Sequence, residues 1–124
     1  MRMLPFTLLV ACTTATPPVL GEISTEAGLY SLDVSTDPAT PVTGEVVLTV
    51  SVFDDVGSVT GAEVRFIPTM PDMGHGVDPV EVTEVADGVY EGGWTFAMPG
   101  YWEVEVGIDA DAGADVAVLS YDVE

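Results

Sequence analysis

Basic side chains are almost missing from this chain. It has no lysine and two arginines against 21 acidic residues, so its formal net charge is −19 over 124 residues. Nucleic acids and anionic lipid surfaces are bound through basic patches, and the composition therefore excludes both as docking partners of the folded part. The acidic residues are scattered singly among apolar ones, which is typical of the wet face of a sheet.

Cysteine and histidine are equally scarce. The single cysteine, Cys12, rules out an internal disulfide, and His75 is the only histidine. Without lysine, and without cysteine beyond residue 12, no base and nucleophile pair of the usual kind is available. The many carboxylates single out no catalytic pair. The sequence predicts that the protein is not an enzyme.

Long apolar runs are also absent. The run Leu4 to Ala11 is too short to span a membrane, and it follows the positive start Met1-Arg2-Met3. Leu9-Val10-Ala11-Cys12 resembles a bacterial lipobox. The resemblance implies a signal peptide over residues 1–11 and a lipid on Cys12. It thus implies attachment to the envelope of a bacterium, facing the periplasm or the exterior. The alternative is a buried free thiol at Cys12.

Residues 12–27 are rich in small polar residues and contain Pro17-Pro18. This composition predicts a lipidated cysteine followed by a flexible tether. Residues 28–124 then form one small domain.

Seven segments of that domain show β-strand signals with turn residues between them, and none shows a helical period. They are residues 29–35, 45–53, 62–67, 80–85, 89–97, 102–109 and 115–123. Short strands at this spacing predict an all-β, seven-stranded antiparallel immunoglobulin-like β-sandwich, with a small β-barrel as the alternative. The cysteine pair of antibody domains is absent, so apolar packing alone must hold the sheets.

The loop from Met70 to Gly76 concentrates the unusual chemistry of the chain. Met70, Met73 and His75 offer two thioethers and an imidazole within six residues, and such soft donors suit Cu(I) better than Mg²⁺ or Ca²⁺. The alternative is structural: methionine commonly fills gaps in apolar cores, and a single histidine often only hydrogen-bonds within a loop. A calcium site at Asp72 and Asp78 lacks EF-hand spacing.

Strand alternation adds a fourth candidate ligand. If successive strands reverse direction, the Met70–His75 loop and the Met98-Pro99 turn lie at the same end of the sandwich. Met98 is then either a third thioether or a core plug beneath the turn. Tyr90, Trp94 and Phe96 are predicted to share one face of the fifth strand.

The pattern Met70-Pro-x-Met-Gly-His, followed by Gly88-Val-Tyr90 and Phe96-x-Met98-x-Gly100-x-Trp102, resembles the YtkA-like, FixH-related domain. The resemblance covers about residue 28 to the end. It implies an exported or membrane-anchored β-sandwich that binds copper through Met70, Met73 and His75, with Met98 behind them. It also implies a copper-handling or respiratory-complex protein as the partner. FixH-type proteins carry a transmembrane helix where this chain has its lipobox.

Two functions compete on these grounds. One is a lipid-anchored extracytoplasmic copper-binding protein, a Cu(I) carrier or buffer that uses the Met/His loop. The other is a metal-free immunoglobulin-like interaction or adhesion module at the cell envelope. Stoichiometric Cu(I) binding that depends on the loop separates them.

Overall fold

The computed structural model describes residues 22–73, 75–76 and 80–124, without the side chains of His75 and Gly76. Within these ranges, no helix is long and apolar enough to cross a membrane. The strands are β1 (Glu22–Ser24), β2 (Ser31–Asp37), β3 (Gly44–Phe53), β4 (Glu63–Met70), β5 (His75–Gly76), β6 (Thr83–Ala86), β7 (Val89–Phe96), β8 (Gly100–Ala110) and β9 (Gly113–Val123).

The strands form two antiparallel sheets, in the orders β1-β2-β3-β7-β6 and β5-β4-β8-β9. The predicted immunoglobulin-like sandwich is confirmed, and the barrel alternative is wrong because the two sheets stay separate. The predicted count of seven strands is also wrong. The described residues contain eight strands of three residues or more and the two-residue β5.

Period-two alternation explains why the two sheets face each other. On β3 and β8, alternate side chains are at most 2 % exposed, and they are Val46, Leu48, Val50, Val52, Trp102, Val104, Val106 and Ile108. Residues between them, such as Val47 and Glu105, face outward. Burial of each large apolar side chain contributes roughly 1.5–3 kcal/mol, so these two strands provide much of the stabilising core.

Two of the predicted strand boundaries shift for identifiable reasons. The fourth predicted strand, 80–85, is instead β6 at Thr83–Ala86, because the Val80 N–H donates to the Phe66 carbonyl oxygen across to the other sheet (3.1 Å). The third strand continues through Pro68 to Met70. The Phe66 carbonyl points away from β8, and residues two apart on a strand direct their backbone groups to the same side. The backbone nitrogen of Pro68 therefore also points away from β8, and proline removes no N–H from the β4–β8 pairing.

The tether predicted for residues 12–27 is wrong from residue 22 onward. Glu22–Ser24 pairs with β2 as β1, and the Thr25 hydroxyl exchanges hydrogen bonds with the backbone of Tyr30. The Asp115 carboxylate on β9 accepts from the N–H groups of Ala27 (3.0 Å) and Leu29 (3.2 Å). These contacts join the start of the fold to its last strand, so the folded part begins no later than Glu22. Residues 1–11 and Cys12 lie outside the described residues.

Asp115 is held as a carboxylate by its donors. Its side chain is 8 % exposed. The neighbouring Thr25 hydroxyl and the N–H groups of Ala27, Val116 and Leu29, which donate to the carboxylate, lower the pKa of Asp115 to about 2, against the opposing effect of desolvation. The charged form is therefore part of the folded structure at neutral pH.

Candidate metal site

Three connections meet at one end of the sandwich. Phe96 at the end of β7 is paired with Gly44 at the start of β3, and Thr69 near the end of β4 is paired with Glu103 near the start of β8. The connections after β2, β4 and β7 therefore share this end, as strand alternation predicted. We call it the methionine end, because it carries Met70, Met73 and Met98.

Met70 is a core side chain. It is 4 % exposed and belongs to a small buried cluster at the methionine end, formed with Val46, Phe96, Trp102 and Val123. A methyl group placed on Gly100 would lie only 2.8 Å from Met70 Cε. The Met70 side chain thus packs against the start of β8, beside the turn that carries Met98. This position agrees with the role of methionine as a filler of irregular gaps.

Met73 is the most accessible thioether at this end. The 3-10 turn Pro71–Met73 follows β4, approaches β8 to within 8 Å between Cα atoms, and leaves Met73 62 % exposed.

Met98 is partly accessible and lies on a turn fixed by an indole. It is 36 % exposed, and Trp102 Nε1 donates to its carbonyl oxygen at 3.0 Å. Trp102 is itself held edge-on against Phe96, with ring centroids 5.1 Å apart. A rigid aromatic base therefore positions the Met98 backbone.

His75 is placed by its backbone alone. It lies in β5, where it is the register partner of Met70. Gly74, Val77, Asp78 and Pro79 lie outside the described residues, so the calcium alternative at Asp72 and Asp78 falls partly there.

Sequence reasoning identified the methionines but not the aromatic cluster beneath them. Tyr90 and Phe96 are buried and Trp94 is half-buried, as their predicted common face requires. Trp94 and Phe96 pack edge to face at 5.5 Å, and Phe96 also contacts Tyr121, with centroids 6.1 Å apart. The Trp94 Nε1–H is buried without a hydrogen-bond partner among the described residues. The alternation of apolar residues, which includes Trp94 and Phe96 on β7 and Trp102 on β8, was the sequence signal from which this cluster could have been predicted.

The methionine end carries three thioethers together with the exposed carboxylate of Asp72. Burial raises the pKa of Tyr121 to about 12, so its phenol stays protonated at neutral pH. Within the described part of the chain, no group of three or more histidine, cysteine, aspartate or glutamate residues is arranged to hold a metal ion. The three methionines at this end offer thioether sulfurs, which are soft donors.

The model of the YtkA-like family matches residues 24–107. A search of curated proteins gives no match.

Solved structures share the fold. A DUF4785-family protein of Legionella pneumophila has a TM-score of 0.61 at 16 % identity, covering 79 % of this chain and 29 % of that one. A DUF4426-family protein of Pseudomonas aeruginosa has a TM-score of 0.60 at 12 % identity, covering 77 % and 90 %. The Lin-41 filamin domain has a TM-score of 0.53 at 16 % identity, covering 84 % and 97 %. The chain thus spans less than a third of the Legionella protein, and at these identities the likeness concerns the fold alone.

Proposed function

Since the chain belongs to the YtkA-like family, we propose that it is a lipid-anchored extracytoplasmic copper-binding protein, a Cu(I) carrier or buffer rather than an enzyme. The observation that carries the proposal is the gathering of Met70, Met73 and Met98 at one end of the sandwich, with His75 in register beside Met70. Thioethers remain unprotonated over the whole physiological pH range, and they bind Cu(I) without the charge that the harder cations require.

The exposed fractions of the three methionine side chains suggest different roles for them as ligands. Met73 and Met98 are open to solvent, so an incoming Cu(I) ion or a copper-handling partner reaches them directly. Met70 lies in the core beneath them, so it can bind the ion only if the ion lies close to the packed sheets. A carrier must release its cargo, and an open end with exposed ligands favours release over permanent storage.

The proposal includes a lipid anchor on Cys12. An anchor at the membrane makes a membrane-bound copper-handling or respiratory-complex protein the natural partner. Replacing Cys12 with serine is then expected to release the protein from the membrane fraction.

The test is a Cu(I) titration of the full chain carrying Cys12→Ser, so that the thiol does not compete, against a chromogenic Cu(I) chelator. We expect binding of about one equivalent. The variant with Met70→Leu, Met73→Leu and His75→Ala should lose it, and Met98→Leu should weaken it. Unchanged affinity in the triple variant would refute the site.

The second candidate is the metal-free interaction or adhesion module. The burial of Met70 favours it, because a methionine packed at 4 % exposure in an aromatic cluster has a structural reason to be there without any metal. In that case Cu(I) neither binds stoichiometrically nor raises the melting temperature of the protein.

A further inference from the structure

A groove runs along the side of the sandwich where β2 of one sheet faces β9 of the other. It has a volume of 440 Å³. Ile23 and Val34 line one wall, and Leu119 and Tyr121 line the other, while Val118 at its rim is 46 % exposed. Its lining is mainly apolar, and it lies apart from Met73 and Met98.

Hydrogen bonds near both ends of β9 reveal which of its backbone groups point outward. The Val116 carbonyl oxygen accepts from the Glu26 N–H (2.8 Å), and the Glu124 carbonyl oxygen accepts from the Thr43 N–H (2.9 Å). Alternate residues of an antiparallel strand direct their N–H and C=O groups to the same side. The groups of Val118, Ser120 and Asp122 therefore also point away from β8, and none of them is bonded to another backbone group in the described part of the chain.

The facing edge of β2 shows the same pattern among residues 22–73. Because the Tyr30 carbonyl oxygen accepts from Thr25 on the β1 side, Val34 and Thr36 direct their backbone groups to that side as well. β1 covers only Ser31–Asp33 of β2. Among the described residues, the groove is thus an apolar floor between two strand edges that are partly without backbone partners, a combination suited to accepting one more strand.

Charge indicates what kind of strand would enter. Three exposed carboxylates directly adjoin lining residues of the groove along the chain: Glu22, Asp37 and Asp122. Arg65, the only lysine or arginine in the described part of the chain, lies on β4, two strands away from β9. A second copy of the chain would bring another net charge of −19 and be repelled. A segment in which apolar residues alternate with lysine or arginine matches both the floor and the rim.

We propose that the groove between β2 and β9 is a docking site for an extended basic segment of a protein partner, which adds to β9 over Val118–Asp122 as a further strand. Main-chain hydrogen bonds to Val118, Ser120 and Asp122 supply the affinity, and the acidic rim selects the sequence. The proposal is independent of copper, because the outer edge of β9 contains none of the candidate ligands.

The test uses the full chain carrying Cys12→Ser and a synthetic peptide of alternating lysine and valine as the probe. Ser120→Pro removes an outward N–H without removing one that bonds to β8, and Ser120→Ala is its matched control. Both lose the 3.2 Å contact between the Ser120 and Tyr101 hydroxyls. We expect saturable binding that Ser120→Pro weakens about tenfold or more and Ser120→Ala changes less than about threefold. Methylating alternate backbone nitrogens of the peptide should weaken binding to the same degree, and this arm leaves the protein unaltered.

Three results would overturn the proposal. Equal binding of the methylated peptide would reduce the effect to charge attraction. Dimerisation of the unmodified chain in sedimentation, abolished by Ser120→Pro, would assign the edge to a second copy. Absence of peptide binding together with slow amide exchange at Val118, Ser120 and Asp122 in the free protein would mean that the chain fills the groove with its own residues.

Discussion

Replacement of Met70 by alanine tests whether the buried thioether is part of the core. Its 4 % exposure and its contacts with Phe96 and Trp102 place it among fully buried methionines, for which truncation to alanine costs 2–5 kcal/mol through lost burial and the cavity left behind. We expect the free energy of unfolding to fall by about 3 kcal/mol. In a domain of this size that is a decrease of roughly 12–24 °C in melting temperature.

Two other variants make the comparison specific. Met70→Leu keeps the side-chain volume and removes sulfur, so it should cost less than about 1.5 kcal/mol. Met73→Ala changes a residue that is 62 % exposed and should stay within about 0.5 kcal/mol of the unmodified protein. Urea unfolding of metal-free protein measures all three. A cost below about 1 kcal/mol for Met70→Ala would show that Met70 does not pack as described, because truncation would then leave no cavity to account for.

The remaining predictions concern the contacts that fix the loops. The folded-state pKa of Asp115, about 2, lies below the reference of about 3.9 for an unfolded chain. The stabilising contribution of its carboxylate to the free energy of unfolding is therefore complete above about pH 4 and disappears as the pH falls toward 2. The stability difference between the unmodified protein and Asp115→Asn should therefore shrink over that interval in acid unfolding curves, and a difference that is constant with pH would contradict this. Tyr90 donates to the Val59 carbonyl oxygen (2.6 Å) and accepts from the Ala62 N–H (3.0 Å), so Tyr90→Phe should cost about 1–3 kcal/mol in urea unfolding. Full stability of that variant would show that other groups satisfy both partners.

Strand alternation predicted most of the fold because each sheet buries one face. Val46 to Val52 on β3 and Trp102 to Ile108 on β8 are buried as the period requires. The tether prediction failed from residue 22 onward because tertiary contacts order that segment. Residues 25–27 read as part of a polar tether until Asp115, nearly ninety residues later, supplies the acceptor that orders them together with Leu29. Local sequence carries no sign of that acceptor.

The candidate site was predicted from the sequence to a similar extent. Alternation placed the Met98 turn beside the Met70 loop, and the fold agrees. The sequence did not distinguish a buried methionine from an exposed one. Met70 ends a strand whose alternate residues, Phe66 and Pro68, face inward, whereas Met73 lies on a turn that follows no such period. Only the three-dimensional packing separates their roles.

That separation bears on how a Cu(I) carrier would use this end. The family resemblance ranks Met70, Met73 and His75 ahead of Met98, but exposure ranks the thioethers differently: Met73 is most open, Met98 follows, and Met70 is nearly enclosed. Copper exchange between proteins requires ligands that a partner can approach, so the proposed exchange falls to Met73 and Met98. Of the three methionines at this end, Met70 is the one whose loss would disturb the core, because it is 4 % exposed and its methyl lies close to Gly100 at the start of β8. Because Met70 packs in the core beside the turn that carries Met98, its position would couple the packing of the core to the geometry of the ligands.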